Sequence, residues 1–108
     1  MSALEGDILP CAEGCHLDLY HEFLVKGQSR IALSRIQFRL LYYLARNPER
    51  LVTKNELITF AWGNETKLSQ KELHVYINRL RRKLGDNSRS QRYILTVYKA
   101  GYILNVKG

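Results

Sequence analysis

The sequence predicts an α+β domain: a small antiparallel sheet, then three helices, then a C-terminal β-hairpin. Three observations carry this. The first third alternates short apolar runs with turn residues at a period near two. The middle holds three helical stretches, each opened by Ser or Thr with Glu or Gln three residues on, the reciprocal capping box. The last stretch holds two runs rich in β-branched and aromatic residues on either side of a Lys-Ala-Gly turn.

A chain of 108 residues is one domain with a modest core. Strands are expected over residues 1–33, helices over 34–84, and a loop with the hairpin over 85–108. The formal charge of +7 is unevenly spread. Residues 1–33 carry two cations against five acidic residues, whereas residues 34–108 carry fifteen cations against five. This asymmetry points to a polyanionic partner facing the second part, nucleic acid ahead of an anionic membrane surface. No stretch reaches the roughly 18 apolar residues of a membrane span. Residues 1–14 lack the basic and apolar regions of a signal peptide. A cytoplasmic location is expected, with nucleoid association, and Cys11 and Cys15 are then free thiols. With His16 and His21 they cluster enough to raise zinc. The histidines lie on a strand-like run with nothing to close a tetrahedral site, so no metal and no cofactor is expected.

Residues 7–33 read as three or four short strands. Pro10 stops the run Ile8-Leu9; Leu17 and Leu19 alternate with Asp18; Phe23-Leu24-Val25 is a short apolar run; and Lys26-Gly27-Gln28-Ser29 is a turn. This sheet is read as a packing platform, its acidic charge keeping it off a phosphate backbone. Ser34 with Gln37 opens the first helix, which must stop at Pro48. Phe38, Leu41, Tyr42 and Ala45, widened by Leu40 and Leu44, make it the most buried helix. Leu51-Val52 is a short extended segment. Thr53 with Glu56 opens the second helix, with Leu57, Ile58, Ala61 and Trp62 inward and Gly63 at its end. A loop over 63–68 follows.

Ser69 with Glu72 opens the third helix and Gly85 ends it. Leu73, Ile77, Leu80 and Leu84 make one apolar stripe. Lys71, Val75, Asn78, Arg79 and Arg82 lie opposite. A charged outer face is most often plainly solvated. Here five of the sixteen residues 69–84 are Lys or Arg and one is acidic, so helix ion pairs do not account for the charges. Asn and Arg are the side chains that read adenine and guanine edges in bidentate fashion, and Val75 suits a thymine methyl. After Gly85 comes a polar loop carrying Arg89. Residues 93–97 and 102–106 then pair as strands around a turn at 98–101.

Sheet, three capped helices and hairpin together describe a winged helix-turn-helix. Particular residues narrow it: the Ile-x-x-Leu-Arg-x-Lys-Leu run from Ile77 to Leu84, Trp62-Gly63, and Thr-Val-x-x-x-Gly-Tyr from Thr96 to Tyr102. Over residues 33–104 the chain closely resembles the effector domain of OmpR/PhoB-type bacterial response regulators of two-component systems, including ToxR-like relatives. The resemblance implies sequence-specific binding to double-stranded DNA and transcription regulation, with the third helix in the major groove and the hairpin at the neighbouring minor groove. On this footing Val75, Asn78 and Arg79 read bases. Lys71, Tyr76, Arg81, Arg82, Arg89, Thr96 and Lys99 contact phosphates. Tyr76 replaces a common histidine, Tyr98 stands where the family places an arginine, Lys99 where glycine is common, and Gln37 where glutamate is favoured. The resemblance also implies that Asn64, Glu65, Thr66 and Lys67 meet RNA polymerase and that copies bind DNA as a head-to-tail homodimer.

No receiver domain is legible before Leu33. The chain is expected to be an excised effector domain, an orphan regulator, or the cytoplasmic end of a membrane-anchored ToxR-like activator. The alternative function is a winged-helix protein–protein interaction module, favoured only by Tyr98 at the wing. His16, His21 and His74 fall in no nucleophile pattern and no glycine-rich phosphate loop is present, so no enzyme is expected.

Overall fold

The computed structural model describes residues 7–63 and 70–108. Ser69, and with it the third capping box, lies outside the described residues, as do Asn64, Glu65, Thr66 and Lys67. Four strands come first: β1 (Ile8–Ala12), β2 (Cys15–Asp18), β3 (Phe23–Lys26) and β4 (Ser29–Ile31). They pair antiparallel in sequence order. Pro10 does not stop β1, because the strand lies at the sheet edge, where a missing N–H costs no ladder bond. The register shifts between Pro10 and Ala12, a bulge at Cys11. Cys11 and Cys15 are free and buried in this sheet. Burial, with the Cys15 thiol beside it, pushes the Cys11 thiol up to about 12, so at neutral pH it is a small apolar filler.

Helix α1 (Arg35–Arg46) begins at Ser34 with both halves of the capping box formed. Its buried side chains are Gln37, Phe38, Leu40, Leu41, Leu44 and Ala45, while Tyr42 is half-buried. Gln37 Oε1 accepts from Ser34 N at 2.9 Å and from Lys83 Nζ at 3.0 Å, tying α1 to the third helix. Helix α2 (Lys54–Trp62) is capped the same way by Thr53 and Glu56, with Leu57 and Ala61 fully buried. Backbone N–H donation from Thr53, then Arg50, holds the Glu56 carboxyl down at about 2.

The segment 52–53 is more than an extended connection. It is a strand, β5 (Val52–Thr53), hydrogen-bonded to the second strand of the hairpin β6 (Ile94–Val97) and β7 (Gly101–Leu104). The resulting three-stranded sheet has the order β5-β7-β6, which anchors the hairpin to the start of α2. Gly101 makes this possible: a Cβ there would overlap the Val52 carbonyl oxygen and lie 2.9 Å from Thr53 Cα. The core is closed by α3 (Gln70–Leu84), whose Leu73, Ile77, Leu80 and Leu84 meet Leu40, Leu41, Leu44, Leu57, Ile94 and Leu104 in one cluster.

Candidate nucleic-acid interface

Burying the apolar stripe of α3 turns its other side to solvent. Lys71, Arg79 and Arg82 are exposed, Val75 is 47% exposed, and Asn78 is half-buried. Tyr76 is half-buried, its ring edge-on to Trp62 at 5.1 Å. The Arg79 guanidinium lies over the Tyr76 ring at 5.3 Å. Tyr76 thus carries Arg79 by a cation–π contact. The Arg50–Glu56 ion pair and the His21–Asp18 contact lie away from this face.

Arg81 corrects the expectation of a phosphate contact. It is fully buried. Its Nε and Nη2 donate to the Ile94 carbonyl at 3.0 and 2.7 Å, Nη2 also to Thr96 Oγ1 at 2.7 Å, and Nη1 to Asn78 Oδ1 at 3.0 Å. Burial pushes its pKa down, and the Asp86 carboxylate opposes that shift. The signal was in the sequence: Arg81 stands four residues after Ile77 and three before Leu84, inside the apolar stripe. A core position occupied by a cation asks for acceptors, and strand β6 supplies them.

The wing stands beside this helix. Thr96 is exposed and receives the Arg81 donor. Tyr98 is 83% exposed. Lys99 is exposed at the turn with φ 61°, the left-handed region that glycine takes without strain. A groove of about 300 Å³ runs between α3 and the hairpin, lined by Lys54, Lys71, His74, Thr96, Tyr98, Lys99 and Tyr102. Three of these are lysines. Sequence reasoning missed Lys54. Its signal was a cation in the first turn of α2, where the helix dipole disfavours positive charge. A smaller depression of about 120 Å³ joins Asn78 and Arg82 to Asn87 and Ser88 at the far end of α3. Arg89 is exposed in the same loop. Among the described residues no His, Cys, Asp or Glu group of three or more converges as for a metal, and no helix is long and apolar enough to cross a membrane.

A third helix with a cationic outer face, flanked by a short three-stranded wing, defines a winged helix-turn-helix effector domain. The chain matches the family described as "Transcriptional regulatory protein, C terminal" over residues 27–104, and it belongs to that family. It is similar to the response regulator MprA of Mycobacterium avium, with 38% identity over 88 residues, 82% of this chain and 38% of MprA. It therefore spans well under half the length of the curated relatives it matches. Among solved structures it is similar to the RstA DNA-binding domain of Klebsiella pneumoniae in complex with the RstA box. That match has a TM-score of 0.76, 27% identity, and 85% and 91% of the two chains covered. It is also similar to DrrB of Thermotoga maritima, an OmpR/PhoB homologue. There the TM-score is 0.80 and the identity 25%, with 96% of this chain and 48% of DrrB covered. The OmpR/PhoB-type resemblance and the winged-helix fold are borne out.

Proposed function

We propose that this chain is a sequence-specific, double-stranded DNA-binding transcription regulator, with α3 in the major groove and the β6–β7 hairpin as the wing. The observation that carries this is the outward face of α3: cations, an amide and one apolar side chain, in a family of transcriptional regulators. The related RstA DNA-binding domain, solved in complex with the RstA box, supports DNA as the partner. In this reading Val75, Asn78 and Arg79 read bases. Lys71, Tyr76, Arg82, Arg89, Thr96 and Lys99 contact phosphates, joined by Lys54. Asn64, Glu65, Thr66 and Lys67 meet RNA polymerase, and copies bind repeated half-sites head to tail.

Two variants test the division between reading and positioning. Arg79→Ala loses about 1–3 kcal/mol of affinity, concentrated at one base pair. A loss equal on every duplex would make Arg79 a phosphate contact. Lys99→Gly keeps the left-handed turn and removes the charge, so the slope of log affinity against log salt becomes shallower by about one. An unchanged slope would take the wing out of the interface. Exposure of Tyr98 favours the second reading, docking to another protein through the wing; duplex binding with a sequence preference at moderate salt excludes it as the main activity.

A further inference from the structure

The guanidinium of Arg81 sits behind the reading face, not on it, and its hydrogen bonds constrain a residue that is on it. A guanidinium can only donate. The Asn78 amide atom 3.0 Å from Nη1 must therefore be the oxygen, since the opposite rotamer would set NH2 against a donor. That leaves Asn78 Nδ2 3.3 Å from His74 Nε2. An amide nitrogen also only donates, so Nε2 is the bare ring nitrogen. The imidazole proton is then on Nδ1, 3.4 Å from the hydroxyl of the buried Tyr102.

A primary amide has two acceptor sites and two N–H donors. Arg81 and His74 take one of each. One acceptor and one donor remain, in an order the buried guanidinium fixes. That pair matches the major-groove edge of adenine, which offers N7 to a donor and N6–H to an acceptor. The same guanidinium occupies a lone pair of Thr96 Oγ1, so the hydroxyl proton is left for an acceptor outside, as a phosphate oxygen would be. We propose that Arg81 is a positioning residue for DNA reading: without touching DNA, it locks the Asn78 amide in the one polarity that reads adenine and ties it to Thr96 on the wing. This rests on the DNA-binding reading above.

The test is duplex selection with the wild-type chain, Asn78→Ala, Arg81→Met and the double variant, each also followed by thermal melting. The wild type selects adenine at one position by about tenfold or more over other bases. Asn78→Ala abolishes that preference and no other. Arg81→Met, with a side chain of similar length and no donor, lowers the same preference to about threefold or less, spares the positions read by Val75 and Arg79, and adds nothing in the double variant. A uniform loss across all positions, or an intact adenine preference in a folded Arg81→Met, overturns the proposal. A wild type that selects no motif overturns the DNA-reading function itself. If Arg81→Met fails to fold, the imidazole 15N shifts of His74 in the wild type decide, above the pH of imidazole titration. The Nδ1–H tautomer is expected, with a nuclear Overhauser contact between the ring and the Asn78 side-chain amide. The Nε2–H tautomer, usual for an unconstrained histidine, overturns the proposal.

Discussion

Asp86 organises the passage from α3 to β6 with one side chain. Its Oδ1 accepts from the backbone N–H of Asn87 at 3.0 Å and Arg92 at 2.7 Å, and its Oδ2 from Tyr93 at 2.9 Å and Ile94 at 3.0 Å. Burial pushes this carboxyl up, but the four donors outweigh burial and hold it below the usual carboxylate range. A folded-state value below the unfolded one near about 3.9 means stability is fully present above that value and lost as pH falls through the folded one. Asp86→Asn sets an NH2 against backbone donors and removes the charge. The expected cost is about 2–4 kcal/mol at neutral pH, with a shallower stability loss below about pH 4. Urea unfolding across that range measures both; a variant with the wild-type midpoint and acid slope would show the four bonds to be incidental. In the sequence Asp86 stands only as part of a polar loop. Gly-Asp-Asn-Ser does signal a turn, yet nothing local says that amides six to eight residues on will close around the carboxylate. Arg81 was hidden for a related reason: one cation among five on a basic helix reads as surface until the stripe it shares with Ile77 and Leu84 is weighed.

At the scale of elements, the capping boxes of α1 and α2 formed as their residues dictate, because Ser34 with Gln37 and Thr53 with Glu56 satisfy orphan donors locally. Strand β5 was illegible, since two residues carry no period. Its partner was the clue. Gly101 serves the turn, but it also admits the Val52 carbonyl into the space of a missing side chain. Gly101→Ala must push β5 off β7, at about 1–3 kcal/mol or more. The melt is expected to fall, with faster amide exchange across the Val52–Tyr102 and Thr53–Gly101 pairs. An unshifted melt would mean that the β5–β7 contact does not bear on stability. Since β5 leads directly into α2, and Lys54 N donates to the Ala100 carbonyl at 3.4 Å, loosening it also displaces Lys54 from the groove beside the wing.

Across the whole molecule, charge and architecture agree. Residues 1–33 carry a net negative charge and residues 34–108 a net positive one, so the molecule has an electrostatic direction before any partner is present. Composition and period were enough to read the order of elements and the outward face of α3, because both follow from local rules. Which cation turns inward, and which strand joins the wing, depends on contacts between distant segments. The central claim is that the outward face of α3 reads duplex DNA. Its most direct test is selection of bound duplexes from a random pool, with the affinity of the winner followed against salt. A motif of repeated half-sites about one helical turn apart, roughly 10–10.5 base pairs, is expected, with a salt slope of several units. No duplex binding at moderate salt would contradict it.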